Sequence, residues 1–129
     1  MREILFRGKR KDNGEWVEGY YVPVGEYHYI LTGKLELVSC LGFEHFLVIP
    51  ETVGQYIERK DKNGKKIFEG DIVRDTEDFD VGKIFFDTYT AMFVIGFETT
   101  IADFNASYSL EVIGNIYDNP ELIGEKTND

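Results

Sequence analysis

Asn13-Gly14 and Asn63-Gly64 each interrupt a chain otherwise built of short apolar stretches. Asn and Gly tolerate the positive φ of a tight turn, so Asn-Gly between apolar blocks predicts a hairpin, here of type I′. Gly, Pro and Asp recur as punctuation along the rest of the chain, and the apolar residues between them alternate or run in short blocks. Strands are therefore predicted at 3–7, 15–23, 27–32 (closed by Gly33), 35–38 and 46–49. In the second of these, Trp16, Glu18, Tyr20 and Val22 face one way, and Val17, Gly19 and Tyr21 the other. Beyond Asn63-Gly64, the pair Ile67-Phe68 meets a tight Gly70-Asp71 corner and then Ile72-Val73, an entry like that of a small SH3-like barrel. Further strands are predicted at 82–87, 91–97, 99–104 and 109–116. Helix is confined to two short candidates. One is 51–59, with Val53, Tyr56 and Ile57 at helical spacing but weakened by Pro50 and Gly54. The other starts at Asn119 as cap with Pro120 in the first turn. The tail from Gly124 to Asp129 is expected to fray.

The fold class is mainly β, at most a β-rich α+β. An N-terminal hairpin sheet over 1–50 is followed by a small SH3-like or bent-sheet barrel over 51–129, either as two subdomains or as one continuous domain. The two Asn-Gly turns do not mark a duplication. Three residues separate Asn13-Gly14 from Glu18-Gly19, and four separate Asn63-Gly64 from Glu69-Gly70. A one-residue offset reverses which side chains face the core.

Composition narrows the function classes. The 129 residues carry 24 acids and 14 bases, for a net charge of −10. The charge is uneven: residues 1–74 balance, and 75–129 hold twelve acids against only Lys83 and Lys126. Such a field repels a phosphate backbone and attracts basic partners. The bases cluster at Arg2 to Lys11 and at Arg59 to Lys66, both around predicted turns, where charges are ordinarily solvated. Direct binding to duplex DNA is therefore not expected. Aromatics reach 15%, too many for a disordered chain. No apolar run approaches a bilayer span, and Ile4-Leu5-Phe6 is too short for the core of a signal peptide. The single Cys40 permits no internal disulfide, which fits a reducing cytoplasm.

Four blocks then carry a resemblance. They are Met1-Arg2-Glu3-Ile4 with Phe6-Arg7, Pro50-Glu51-Thr52-Val53-Gly54-Gln55-Tyr56, the long run from Asp61-Lys62-Asn63-Gly64 to Gly70-Asp71-Ile72-Val73, and Glu111-Val112-Ile113-Gly114-Asn115-Ile116-Tyr117-Asp118-Asn119-Pro120-Glu121-Leu122. In this order they resemble the YopX family of phage and prophage proteins, over nearly the whole chain; the departures lie between the blocks, at 25–45 and 75–106, where no block of the family is recognised. The resemblance implies a mainly β protein of bacterial or phage origin inside the host cell, and it implies no catalytic residues.

The residues themselves supply no catalytic set. Cys40 beside Val38 and Leu41 reads as a small buried hydrophobe, and pairing it with His45 for nucleophilic work would need an orienting third group. His28, flanked by Tyr27 and Tyr29, shares a side with Ile30 and reads as a half-buried structural histidine. Two His and one Cys cannot build a usual zinc cage. Asp75, Glu77, Asp78 and Asp80 form an acidic loop, but in neither calcium-loop register does a Gly fall at the sixth position. Glu69 and Asp71 could pair as acid and base, or bond the backbone of a turn. Gly54, Gly64 and Gly70 are too dispersed for a phosphate loop. No catalytic, cofactor or metal residues are therefore assigned.

Aromatics crowd two regions: Trp16, Tyr20, Tyr21, Tyr27 and Tyr29, then Phe79, Phe85, Phe86, Tyr89, Phe93 and Phe97. The second set is interleaved with acids rather than bases, which opposes stacking on single-stranded nucleic acid. The surplus of Tyr suits a protein interface. The leading expectation is a non-catalytic module binding a protein partner from host or phage, or a second copy of itself. A nucleic-acid-associated or DNA-mimicking protein is the alternative, and a hydrolase using carboxylates such as Glu69 and Asp71 is the third reading.

Overall fold

A computed structural model describes residues 4–32, 44–104 and 109–124. The chain divides into two compact units, 1–56 and 57–129. The predicted strand at 35–38 and Cys40 lie outside the described residues.

In the first unit, β1 (Phe6–Lys9), β2 (Trp16–Val24), β3 (Tyr27–Thr32) and β4 (Glu44–Leu47) follow one another as antiparallel neighbours. The start of β5 (Gly54–Lys60) pairs on the other side of β1, Phe6 opposite Gln55 and Arg7 opposite Gly54. The expected helix at 51–59 is thus mostly strand. Only Pro50–Thr52 forms a 3-10 turn. The reason is tertiary: Tyr56 donates its N–H to the Leu5 carbonyl, and burial of Gly54 and Tyr56 follows the period of two, not 3.6. Thr52 locks the turn in place. Its Oγ1 accepts the Lys9 N–H at 2.9 Å and donates to the Ile49 carbonyl at 2.6 Å.

The second unit begins with the end of β5, to which β6 (Lys66–Phe68) is neighbour. β7 (Asp71–Asp75), β8 (Val81–Asp87), β9 (Met92–Phe97), β10 (Ile101–Ala102) and β11 (Leu110–Asn115) form a five-stranded antiparallel sheet in the order β10-β9-β8-β7-β11. The sheet is open, so the bent-sheet form of the expected architecture holds and the barrel does not close; β11 carries a register shift between Val112 and Gly114. The region predicted as a strand at 99–104 shortens to β10. Ile67, Val73, Ile84, Ile95 and Leu110 form the core of this unit, backed by Ile57, Phe97, Phe104 and Val112.

The turns are not type I′. In both Asn-Gly pairs only the glycine has positive φ, 73° at Gly14 and 82° at Gly64. The loops are longer than the two residues that a type I′ hairpin takes. Residues 11–14 are closed by the Arg10 N–H to Glu15 carbonyl bond, and 62–64 by the Asp61 N–H to Lys65 carbonyl bond, both 2.8 Å. Loops of this length put one residue, the last, in the left-handed region. Asn13 serves through its side chain instead, Oδ1 accepting the Glu15 N–H at 2.9 Å.

Asp61 closes the second loop from the inside. Its Oδ1 accepts the N–H groups of Asn63 and Lys65, both at 2.9 Å, and its Oδ2 accepts that of Val112 on β11 at 3.0 Å. The Lys62 N–H adds a bond to the Leu110 carbonyl. The loop thereby occupies the backbone edge of β11 that would otherwise face solvent. After β11 the chain turns around Asn115, whose Oδ1 accepts the N–H groups of Tyr117 and Asp118. It then enters a 3-10 turn at Pro120–Ile123. Asn119 holds the N-cap position of that turn, as expected, with Pro120 following and the Asn119 carbonyl accepting the Leu122 N–H at 3.1 Å, but its side chain makes no cap bond. Its Oδ1 accepts the Asn115 N–H at 3.2 Å instead, because the preceding turn brings that donor within reach.

Candidate interaction cleft

Among the described residues, those singled out for chemistry do not converge. Asp71 is 1% exposed and spends Oδ2 on the Phe68 N–H at 2.8 Å, holding the corner at Gly70. It is a backbone-bonding carboxylate at a turn, the second of the two roles open to the Glu69–Asp71 pair. His28 lies half-buried with its ring stacked on Tyr21, whose hydroxyl bonds Nδ1. His45 is exposed on β4, edge-on to Tyr29. Among the described residues, no three His, Cys, Asp or Glu side chains gather as metal ligands.

The basic clusters are largely engaged within their own units. Arg10 forks onto Asp12, Nε to Oδ1 at 3.0 Å and Nη2 to Oδ2 at 2.7 Å, and lies over the Phe46 ring. The Arg10 hydrogen bond holds the Asp12 carboxyl below its ordinary pKa and raises that of the guanidinium. Arg7 lies over Trp16 at 4.7 Å, and Arg59 over Phe104 at 5.8 Å. Lys62 and Arg74 both approach Glu111, at 3.7 and 3.8 Å.

What the structure does assemble is a cleft of about 790 Å³ in the second unit. The turn between β7 and β8 forms one wall, the β9–β10 turn another, and the 3-10 turn at Pro120–Ile123, which lies against β8, a third. Apolar lining comes from Phe79, Val81, Phe97, Leu122 and Ile123; Asp80, Glu98 and Lys83 supply the charge. Strand alternation explains the floor: Gly82 and Ile84 turn into the core, leaving Val81 and Lys83 on the other side, half-buried.

Phe79 is the unusual member. It is 71% exposed and has φ of 62°. The acidic segment 75–80 explains this, for it has the same loop geometry as 10–15. The Asp75 N–H bonds the Asp80 carbonyl and the Phe79 N–H the Asp75 carbonyl, as Arg10, Glu15 and Gly14 do in the first unit. Asp75 Oδ1 also accepts the Glu77 N–H, so this carboxylate is committed to the turn. The left-handed position that holds glycine in one loop holds phenylalanine in the other. Sequence reading could not see this, because no Gly or Asn marks the position. A second apolar patch lies at the far end of the β8–β9 hairpin, where Phe86 packs edge-on to Phe93 and Tyr89 is 98% exposed beside Met92.

Fold and cleft together define a class: an antiparallel β protein of two small units, each with exposed apolar side chains, those of the acidic second unit lying on loops and strand ends. Its fold is similar to the crystal structure of protein EF1440 from Enterococcus faecalis. The TM-score is 0.56 over 95% of this chain and 99% of that one, at 22% identity. The sequence model of the YopX protein family matches residues 5–124, and the chain belongs to that family. No curated protein shows a match to the sequence. Among the described residues, no helix is long and apolar enough to cross a membrane.

Proposed function

We propose that this protein is a non-catalytic interaction module of phage or prophage type, working in the bacterial cytoplasm, whose second unit binds a protein partner. The observation that carries the reading is the exposure of Phe79, Phe86, Tyr89, Met92, Ile101 and Leu122 in that unit. Single exposed apolar residues are ordinary, but grouped aromatic and methionine side chains characterise contact surfaces. Here they all fall within residues 75–129, the stretch that carries the net −10 charge, a setting that favours basic polypeptide over nucleic acid.

The test is affinity capture from host lysate, with and without nuclease. Wild type is compared with Phe79→Ser/Leu122→Ser and with Tyr89→Ser/Met92→Ser. The reading expects a protein partner that survives nuclease and is lost with at least one pair of substitutions. A partner that disappears with nuclease would transfer the protein to the nucleic-acid-associated class.

A further inference from the structure

Phe79 stands at a position that disfavours it twice. A bulky side chain at φ of 62° is strained, and its ring is left largely in water. The equivalent place in the 10–15 loop is Gly14, which meets neither cost. Left-handed backbone also sets the direction of the side chain, so the strain fixes where the ring is presented: on the wall of the cleft, with Leu122 and Phe97 among the other apolar members.

The charge around that apolar surface has one sign in excess. Asp80 and Glu98 line the cleft, exposed Glu77 and Asp78 continue the same turn, and Glu121 adjoins Leu122. Among the described residues that line it, Lys83 is the one base. A cleft of this size, lined by polar surface with Phe79, Phe97 and Leu122 as apolar contacts and with an acidic border, suits a chain that alternates bulky apolar and basic side chains. Phosphate-bearing ligands and acidic peptides meet repulsion at the same border.

We propose that the cleft of the second unit is a docking groove for an extended basic–apolar peptide segment of a partner protein, with Phe79 as its anchor. This rests on the interaction-module reading and specifies its site and chemistry.

The probe is a fluorescein-labelled decapeptide alternating Lys with Leu and Phe, titrated against the full chain at about 150 mM salt and followed by anisotropy. A matched peptide with Glu in place of every Lys is the control. The expected result is micromolar binding of the Lys peptide, at least tenfold weaker for the Glu peptide. Phe79→Gly weakens binding at least tenfold while raising the melting temperature, which separates lost contact from lost fold. Asp80→Lys/Glu98→Lys weakens it by a similar factor. Amide shifts in a ¹⁵N-labelled sample fall on Val81, Lys83, Gly96, Thr99 and Gly124. Absence of binding, equal binding of the two peptides, shifts confined to other residues, or full affinity in Phe79→Gly would each overturn the proposal. If the peptide fails while Phe79→Ser/Leu122→Ser still abolishes partner capture, the peptide chemistry is wrong and the interaction-module reading stands.

Discussion

Replacing Asp61 with Ala removes the acceptor for three backbone N–H groups at once. Hydrogen bonds to a charged group contribute about 1.5–3 kcal/mol each, and a buried donor left unsatisfied costs about 1–3 kcal/mol. The three sites are not equal. Asn63 and Lys65 are exposed, and water replaces the carboxylate there at little cost. Val112 is half-buried in β11, so its N–H is the one whose loss is felt in full. Counting about 2 kcal/mol for Val112 and about 1 kcal/mol for the two turn bonds together gives a loss of about 3 kcal/mol. For a unit of this size that lowers the melting temperature by about 12–24 °C if it unfolds in one step. Asp61→Asn keeps one acceptor oxygen; with it on the Asn63 and Lys65 N–H groups the amide NH₂ faces the Val112 N–H, so a loss of about 2 kcal/mol is expected.

The dependence on pH has a definite sign. Burial pushes the Asp61 pKa up, but the N–H groups of Val112, Lys65 and Asn63, helped by the Lys65 charge, outweigh it and hold the group below its ordinary value of 3.8. A carboxyl depressed in the folded state stabilises fully above its unfolded pKa and loses that contribution as pH falls through the folded one. The gap between wild type and Asp61→Asn is thus constant from neutral pH down to about pH 4 and narrows below it. Urea denaturation followed by far-UV circular dichroism gives the stabilities, and amide exchange at Val112 reports the bond itself. A loss under about 0.5 kcal/mol in Asp61→Ala, the range of ordinary surface substitutions, with unchanged Val112 exchange, refutes the reasoning.

Gly64→Val, with no neighbour within 4 Å of the new Cβ, is expected to destabilise by about 1–2 kcal/mol through backbone conformation alone, read as a lower urea midpoint with unchanged slope. Gly19→Ala would set a Cβ 2.0 Å from the Leu31 carbonyl oxygen, so β2 and β3 must separate; loss of more than about 3 kcal/mol, or failure to fold, is expected from the tryptophan fluorescence of Trp16 on β2. Duplex DNA at about 150 mM salt should give no anisotropy change at micromolar protein. Salt-sensitive micromolar binding that vanishes with Arg10, Lys11, Lys65 and Lys66 changed to Ala would show that the basic turns act as a phosphate-binding surface.

Much of the fold was legible because turn chemistry is local. Asn13-Gly14, Asn63-Gly64 and Gly70-Asp71 announced their turns, and the alternation between them announced strands. The blocks that resemble the YopX family turn out to contain fold-building residues: Thr52 on the Lys9 N–H, Asp61 on β11, Asp71 at its corner, Asn115 and Asn119 after β11. The misreadings share a cause. Helical spacing at Val53, Tyr56 and Ile57 was real, but the edge of β1 offered that segment backbone partners, and sheet pairing won. Asn119 does sit at the N-cap, but a nearer donor, the Asn115 N–H, took its side-chain oxygen.

The sequence by itself determined the class of fold, the places where the chain reverses, and the concentration of negative charge in residues 75–129, because each depends on residues near one another along the chain. Tertiary structure alone decided that Asp61 bonds Val112, fifty-one residues away, that the sheet stays open, and that Phe79, Phe97 and Leu122 line one cleft. Those outcomes depend on which strand edges and side chains meet in space. Phe79 also sits at a left-handed backbone position that loop closure, rather than its own preference, imposes.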